Sequence, residues 1–356
     1  MKKFFKILLT IGLIIVVIVA AYVGYVLLSY ERIADSQQLE PTKINTALLK
    51  TDTPYTAVSY NIGYGSYPPD YTFFMDGGKE SIARSKEDVY ACLDGSVRAV
   101  RSLNPDFVML QEVDVDGTKS LHINEYDYIN SSFSDYDRVF AVNYDSAYLF
   151  YPLTRPIGKT LGGLATYARY PITDAIRRSL PIATSLSKLL DLDRCYSISS
   201  LPVENGKMLY LYNIHMSAYG NEGGISARQV EMLVTDMQEK IDAGGYVICG
   251  GDYNHDFTGD SIERLNTGTQ ERLSWAQPFP EELLTDDIIM CRAYPDNELI
   301  PSARNLDVPY EPGVSLTLIL DGFLISSNVT CETVQNIDNG FLYSDHNPVF
   351  LRFTLN

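Results

Sequence analysis

Positive charge is what this chain has least of. Lys and Arg total 28 against 45 Asp and Glu, a formal net charge of −17 over 356 residues. Such an acidic surface repels polyanions at long range, which excludes a nucleic-acid binder relying on a broad basic face. It does not exclude a nuclease, because bound divalent cations and a few local Arg or Lys reverse the potential at one cleft. The densest basic stretch, Arg155, Lys159, Arg169, Arg177 and Arg178, reads as a solvated face. Cysteine is also scarce. Cys92, Cys195, Cys249, Cys291 and Cys331 include no pair at CxxC spacing, which excludes a zinc knuckle and a dithiol redox motif. There is one Trp, no low-complexity tract and no fixed-period repeat, so a solenoid or propeller is excluded. Histidine is limited to four positions, which makes the context of each informative.

One long apolar run is present. Residues 7–28, ILLTIGLIIVVIVAAYVGYVLL, carry no charge. At ~1.5 Å per residue the run crosses the ~30 Å hydrocarbon core of a bilayer. Lys2, Lys3 and Lys6 precede it, while Glu31 and Arg32 nearly cancel after it. The positive-inside bias keeps the N-terminus cytoplasmic and sends the large domain outside. The run exceeds the ~7–15 residues of a signal-peptide core and no small-x-small site follows. Residues 1–29 therefore read as a cytoplasmic tip and single-pass anchor in the cell membrane. Residues 30–53, polar and holding Pro41, read as a linker. Residues 54–356 remain as the folded domain.

Within that domain the hydrophobic periods alternate. Thr56–Asn61 is β-type and runs into turn chemistry at Gly63, Gly65, Pro68 and Pro69. Residues 86–103 place Val89, Cys92, Leu93, Val97, Val100 and Leu103 on one helical face, and Asn104-Pro105 stops it. Phe107–Leu110 is a strand with Glu112 just past its end. Leu164–Tyr170 is a strand halted by Pro171. Residues 195–203 and 207–214 form a hairpin around Asn205-Gly206. Residues 225–242 read as a helix, Tyr246–Cys249 as the strand delivering Asp252, and Leu316–Leu320 as the strand before Asp321. Pro348–Leu355 closes the domain as a strand. Strands outnumber helices, and hairpins mix with crossovers. An α/β (α+β) arrangement of mixed sheets packed face to face, with helices outside, is expected.

Chemistry-bearing side chains recur at these strand ends. Glu112 and Asp345 are expected as metal ligands, because a hard cation such as Mg²⁺ or Mn²⁺ takes carboxylate oxygens, waters and substrate phosphate. Asn61 adds a neutral amide oxygen. Asp252 and Asn254 flank Tyr253 after two glycines, and alternation puts both on one face. There Asp252 orients or deprotonates water and Asn254 donates to developing charge. The same pattern also suits an Asx-type turn. His215 and His346 each follow an apolar strand. Asp321 is the expected orienting partner of His346. His122 and His255 lie in loop-like contexts and carry no role. Arg228 and Arg304 read as structural or solvated residues.

The ordered set SYNIG (59–63), LQEVD (110–114), GGLATYARYP (162–171), NIHMSA (213–218), GGDYN (250–254), LDGFLIS (320–326) and SDHNPV (344–349) resembles the endonuclease/exonuclease/phosphatase superfamily. The resemblance covers residues 55–356. It implies a four-layer sandwich of two mixed β-sheets flanked by helices. It also implies Asn61 and Glu112 as a metal pair with Asp345 as an added acid, and His215 facing phosphate. Asp252 and Asn254 are implied to position water and phosphate, and Asp321–His346 to form a dyad. Gly63 stands where some relatives carry an acid, and DNA-gripping basic loops have no match. The expected activity is metal-dependent phosphodiester hydrolysis. The substrate is open between nucleic acid and a phospholipid head group, as for a sphingomyelinase or phosphoinositide phosphatase. A non-catalytic binding module is the rival from another class. No protein partner is expected.

Overall fold

The computed structural model describes residues 1–29, 32–182, 193–218, 224–266, 276–292, 294 and 299–356. Helix α1 (Lys2–Ser29) is long and apolar enough to cross a membrane. The chain continues through β1 (Gln37–Leu39), β2 (Pro54–Asn61), α2 (Lys86–Ser102), β3 (Phe107–Gly117), α3 (Glu125–Asn130), β4 (Asp137–Asp145), β5 (Thr160–Ala168) and β6 (Asp174–Ser179). Then come β7 (Cys195–Pro202), β8 (Met208–His215), α4 (Ile225–Asp242), β9 (Tyr246–Asp252), α5 (Ser261–Leu265) and β10 (Ile288–Met290). The last elements are β11 (Ala303–Arg304), β12 (Thr317–Leu318), β13 (Asp321–Ser326), β14 (Val329–Asn336) and β15 (Val349–Leu355).

Seven strands form one sheet in the order β1-β6-β7-β8-β9-β13-β10, and six form a second in the order β14-β15-β2-β3-β5-β4. In these two sheets every pairing is antiparallel except β2–β3 and β8–β9. A parallel pair needs a crossover, and each of these has one helix, α2 or α4. Helix α2 starts where Ser85 Oγ accepts from Asp88 N at 3.1 Å, with Glu87 and Asp88 complementing its dipole.

Each helix buries its apolar stripe on the outer face of its own sheet. Val89, Leu93 and Val100 cover Val58, Val108 and Leu110. Val230, Leu233 and Met237 cover Tyr212, Val247 and Cys249. Between the sheets lie Ala57, Phe107, Met109, Leu164, Leu211, Ile248, Phe323 and Leu351. The layers run helix, sheet, sheet, helix, which is the four-layer sandwich. Strands β4, β6 and β14 were not anticipated, and Leu316–Leu320 is strand only at Thr317–Leu318. All five cysteines are free thiols.

Residues 32–53, read from the sequence as part of a linker, lie along the domain. Strand β1 extends a sheet edge by pairing with β6. Asp137 Oδ1 accepts from the backbone of Ile44 and Asn45 at 2.7 Å each, and Leu49 is buried. These bonds satisfy backbone groups that a free tether would leave to water.

The period of two fixes which side chains meet. In β2, Tyr55 and Ala57 face the other sheet, so Ser59 and Asn61 share that parity. Leu209 and Leu211 set it for Asn213 and His215, and Tyr246 and Ile248 for Gly250 and Asp252. In β13, Phe323 and Ile325 set it for Asp321. Glycine makes this convergence possible. A Cβ on Gly251 would lie 2.1 Å from the Ile214 carbonyl oxygen on the neighbouring strand. Gly251→Ala must therefore pry β8 from β9. The expected cost is ~1–3 kcal/mol of stability, read from thermal or urea midpoints; an unchanged midpoint rejects this steric role.

Candidate active site

Asn61, His215 and Asp252 are the last inward positions of β2, β8 and β9. Strand β13 runs antiparallel to β9 with Asp321 directly opposite Asp252, and His215 is the register partner of Asp252 on the other side. Three adjacent strands thus set His215, Asp252 and Asp321 side by side. His346 arrives from the loop before β15, whose Val349 pairs with Ser59 of β2.

Glu112 breaks the parity rule. Phe107 and Met109 face inward, so an uninterrupted strand would turn Glu112 outward, away from His215. Instead β3 continues to Gly117 with a register shift between Leu110 and Val113, and Glu112 takes φ +55°. A bulge of this kind re-aims one side chain at a local conformational cost. The Glu112 carboxylate consequently reaches within 3.8 Å of His215 Nε2. The sequence reading that the strand ends at Leu110 is corrected here.

Both sheets converge on one oxygen. Asp252 Oδ2 accepts from Asn61 Nδ2 at 3.0 Å, and lies 3.5 Å from His215 Nε2 and 3.8 Å from His346 Nε2. Asp252 Oδ1 accepts from Asn254 N at 2.9 Å, an Asx-type turn, with Asn254 at φ +51°. Asn254 Nδ2 donates to the Met216 carbonyl at 2.8 Å. That uses one of its two amide hydrogens and leaves the other. The Asx-type turn is thus present, and it leaves the Asn254 amide able to serve the site reading of this segment.

His346 Nδ1 lies 2.7 Å from Asp321 Oδ2, which also accepts from Ser302 Oγ at 2.8 Å. Burial alone lowers the His346 pKa, but the Asp321 and Asp252 carboxylates outweigh it and hold the imidazole well above its usual value. His215 goes the other way: burial, with Arg194 and His346 adding to it, keeps it well below its usual value and neutral. Burial and the Asp345 carboxylate push Glu112 up to about 7, against Lys119 and His346. Burial and Asp321 push Asp252 up to about 6.

Two sets of side chains offer cation ligands. Asp252, Asp321 and His346 present atoms within 4.8 Å of one another. The Asp321–His346 hydrogen bond occupies part of that set. The other set is richer in oxygen. Among the described residues no hydrogen bond reaches the Glu112 carboxylate. Among the described residues Asn61 Oδ1 accepts only Gly63 N, at 3.0 Å. Ser344 Oγ bridges the Asn61 carbonyl, at 2.8 Å, to Asp345 Oδ1, at 3.2 Å. A buried carboxylate whose pKa a neighbouring carboxylate raises, beside an amide oxygen with a lone pair to spare, fits a hard divalent ion.

Several contributors escaped the sequence reading. Lys119 is buried beside Glu112, donates to the Tyr67 hydroxyl and lies 4.4 Å from the centre of the Phe73 ring. No periodicity marks it. Beneath the site, Gln111 Nε2 donates to Asn213 Oδ1 at 2.8 Å and Ser59 Oγ at 3.2 Å. Asn213 Nδ2 in turn donates to the Leu110 and Ala165 carbonyls and Thr166 Oγ1. Polar residues at inward strand positions were the available signal for this floor. Arg304 donates to the Pro68 carbonyl at 2.9 Å, a structural role; Arg228 is exposed. His122 pairs with Asp116 at an exposed position, and His255 bonds the Tyr253 carbonyl.

Asp321→Asn removes the anion that favours imidazolium, so the His346 pKa should fall toward its ordinary value. An NMR titration of the four imidazoles checks this. An unmoved His346 would mean that Asp321 does not set its charge.

No curated protein sequence matches the chain. Solved structures share its fold. An endonuclease/exonuclease/phosphatase from Beutenbergia cavernae DSM 12333 aligns at TM-score 0.58 and 14% identity, over 85% of this chain and 72% of that one. The human Nocturnin catalytic domain with bound sulfate aligns at TM-score 0.55 and 13% identity, over 90% and 97%. ANGEL2, a 2',3'-cyclic phosphatase in complex with adenosine-2',3'-vanadate, aligns at TM-score 0.55 and 14% identity, over 90% and 99%. The model of the endonuclease/exonuclease/phosphatase family matches residues 58–346, spanning every residue of the cluster around Asp252, and the chain belongs to that family.

Proposed function

We propose that the chain is a metal-dependent phosphoesterase that hydrolyses a phosphodiester by in-line attack of water on phosphorus. The observation that carries this reading is the convergence of Asn61, His215 and His346 on one Asp252 oxygen. Family membership and the named structural neighbours support it. Glu112, Asn61 and Asp345 are the residues assigned to hold Mg²⁺ or Mn²⁺. When bound, the ion neutralises the phosphoryl oxygens and the leaving oxygen.

The remaining roles belong to side chains. Asp252, raised to about 6, is ionised at neutral pH yet basic enough to take a proton from water. Its bond from Asn61 fixes the carboxylate plane. His346, kept cationic by Asp321, faces the charge that grows on phosphorus-bound oxygen. Neutral His215 adds an N–H donor without further charge. The free amide hydrogen of Asn254 is available to the same oxygens. Residues 1–29 serve as the anchor, 30–53 as the connection and 54–356 as the catalytic domain, held on the extracytoplasmic side. The substrate is a nucleic acid or a phospholipid head group. Helix α1 and the acidic net charge favour the lipid-directed reading, and plasmid DNA, RNA, sphingomyelin and phosphoinositides assayed in parallel separate the two.

The full chain in detergent should cleave a generic phosphodiester with Mg²⁺ or Mn²⁺, and EDTA should abolish cleavage. Asp252→Asn and His346→Ala should each lower kcat/KM by ~10²–10⁴. Full activity in EDTA rejects the metal role.

Metal binding should also depend on pH. Glu112 carries a proton below about 7, and a cation must displace it. Calorimetric affinity for Mn²⁺ should fall as pH drops through 7, with proton release on binding at pH ~6. A flat affinity across that range removes Glu112 from the ligand set.

A further inference from the structure

An exposed apolar feature of the domain touches the end of α1. Phe150, Tyr151 and Leu153 are 53%, 67% and 85% exposed, on the connection between β4 and β5. The Phe74–Tyr151 ring contact, 5.6 Å between centres, brings in Met75, which is 55% exposed. In water this patch carries a hydrophobic penalty.

The helix meets this loop through its last two turns. Tyr22 and Phe150 pack edge to face at 5.4 Å. Tyr22 OH donates to the Tyr148 carbonyl and accepts from Phe150 N, both at 3.2 Å. Tyr25 OH accepts from Tyr148 N at 3.1 Å. Leu149 exchanges both backbone bonds with Gly158, and Ile157 N donates to the Tyr151 carbonyl. The N–H groups of Tyr148, Leu149 and Phe150 and the carbonyls of Tyr148, Leu149 and Tyr151 are thus bonded to protein groups, which lowers the cost of moving that part of the loop out of water.

Depth follows from the helix. The apolar run ends at Leu28. Tyr25 and Tyr22 lie three and six residues before it, which is ~4.5 and ~9 Å inside at ~1.5 Å per residue. Aromatic side chains favour that level, the boundary between head groups and acyl chains. The helix cannot swing freely from the loop. Arg32 donates to the Leu180 carbonyl, and Asp35 accepts from Ser179 N at 2.7 Å, so the chain rejoins the domain just past the helix.

We propose that the Tyr148–Leu153 loop is a second membrane-contact element, seated in the head-group boundary of the leaflet from which α1 emerges. This rests on the reading of α1 as a membrane anchor. The contact is apolar, since a chain of net charge −17 gains nothing from an anionic surface. The loop also touches the site's surroundings. Tyr151 packs on Phe74, Phe74 on Phe73, and Phe73 on Tyr67, which borders Gly63 and Asp345. The loop so seated holds the site close to the bilayer surface.

The test uses the full chain in phosphatidylcholine nanodiscs with its single tryptophan replaced, Trp275→Phe. Phe150→Trp and Leu153→Trp report on the loop and Val16→Trp on the helix. Ile289→Trp reports on β10, at the opposite sheet edge from β1. Phe150→Trp and Leu153→Trp should be quenched by shallow spin-labelled lipid. Their iodide quenching should be several-fold weaker than that of Ile289→Trp, at low and high salt alike. If Val16→Trp is quenched by lipid while both loop probes match Ile289→Trp, the loop proposal is overturned and the anchor stands. If Val16→Trp is not quenched either, the anchor reading fails and the loop proposal falls with it.

Discussion

The structure depends on one crowded carboxylate. Asp252 sits where the two sheets meet, with both of its oxygens engaged and two imidazoles within 4 Å of one of them. An ionised group buried this deeply is costly unless its neighbours compensate. They come from both sheets: Asn61 from one, His215 from the other, and His346 from the loop that leads back into the first. The parallel pairs β2–β3 and β8–β9 make this possible by ending at the same side of the sandwich. The antiparallel strands β13 and β15 begin there.

The chemistry is divided by environment. Two histidines of the same residue type carry opposite protonation. His346 faces Asp321 and stays charged, while His215 Nδ1 has no hydrogen-bond partner among the described residues and the ring stays neutral. Below them, the Gln111–Asn213–Ser59–Thr166 network replaces apolar packing with bonded polar groups. Such a floor holds the strand ends in register at little net energy, since each buried bond contributes ~1 kcal/mol but an unmade one costs ~1–3.

Much of the arrangement was legible because strand parity is rigid. Once Ala57, Leu211, Ile248 and Phe323 are read as core, the facing of Asn61, His215, Asp252 and Asp321 follows. Helices α2 and α4 were marked by their periods and stops. Glu112 was found for its residue type, yet its orientation was not legible, because a bulge is a departure from the period that reveals strands. Lys119 was invisible for a related reason. It is brought beside Glu112 by a loop, and its ammonium is accepted among aromatic rings that sequence spacing does not assemble. Strand β4 was passed over although its inward positions, Val139 and Ala141, alternate with half-buried ones.

The position of β15 has a consequence for biosynthesis. It lies between β14 and β2 inside its sheet. During translation β2 has no partner on that side until residues 349–355 leave the ribosome, some three hundred codons later. His346 emerges in the same interval. Nascent chain without that segment lacks both the seal of the sheet and part of the cluster around Asp252, so the two are completed together at the end of synthesis.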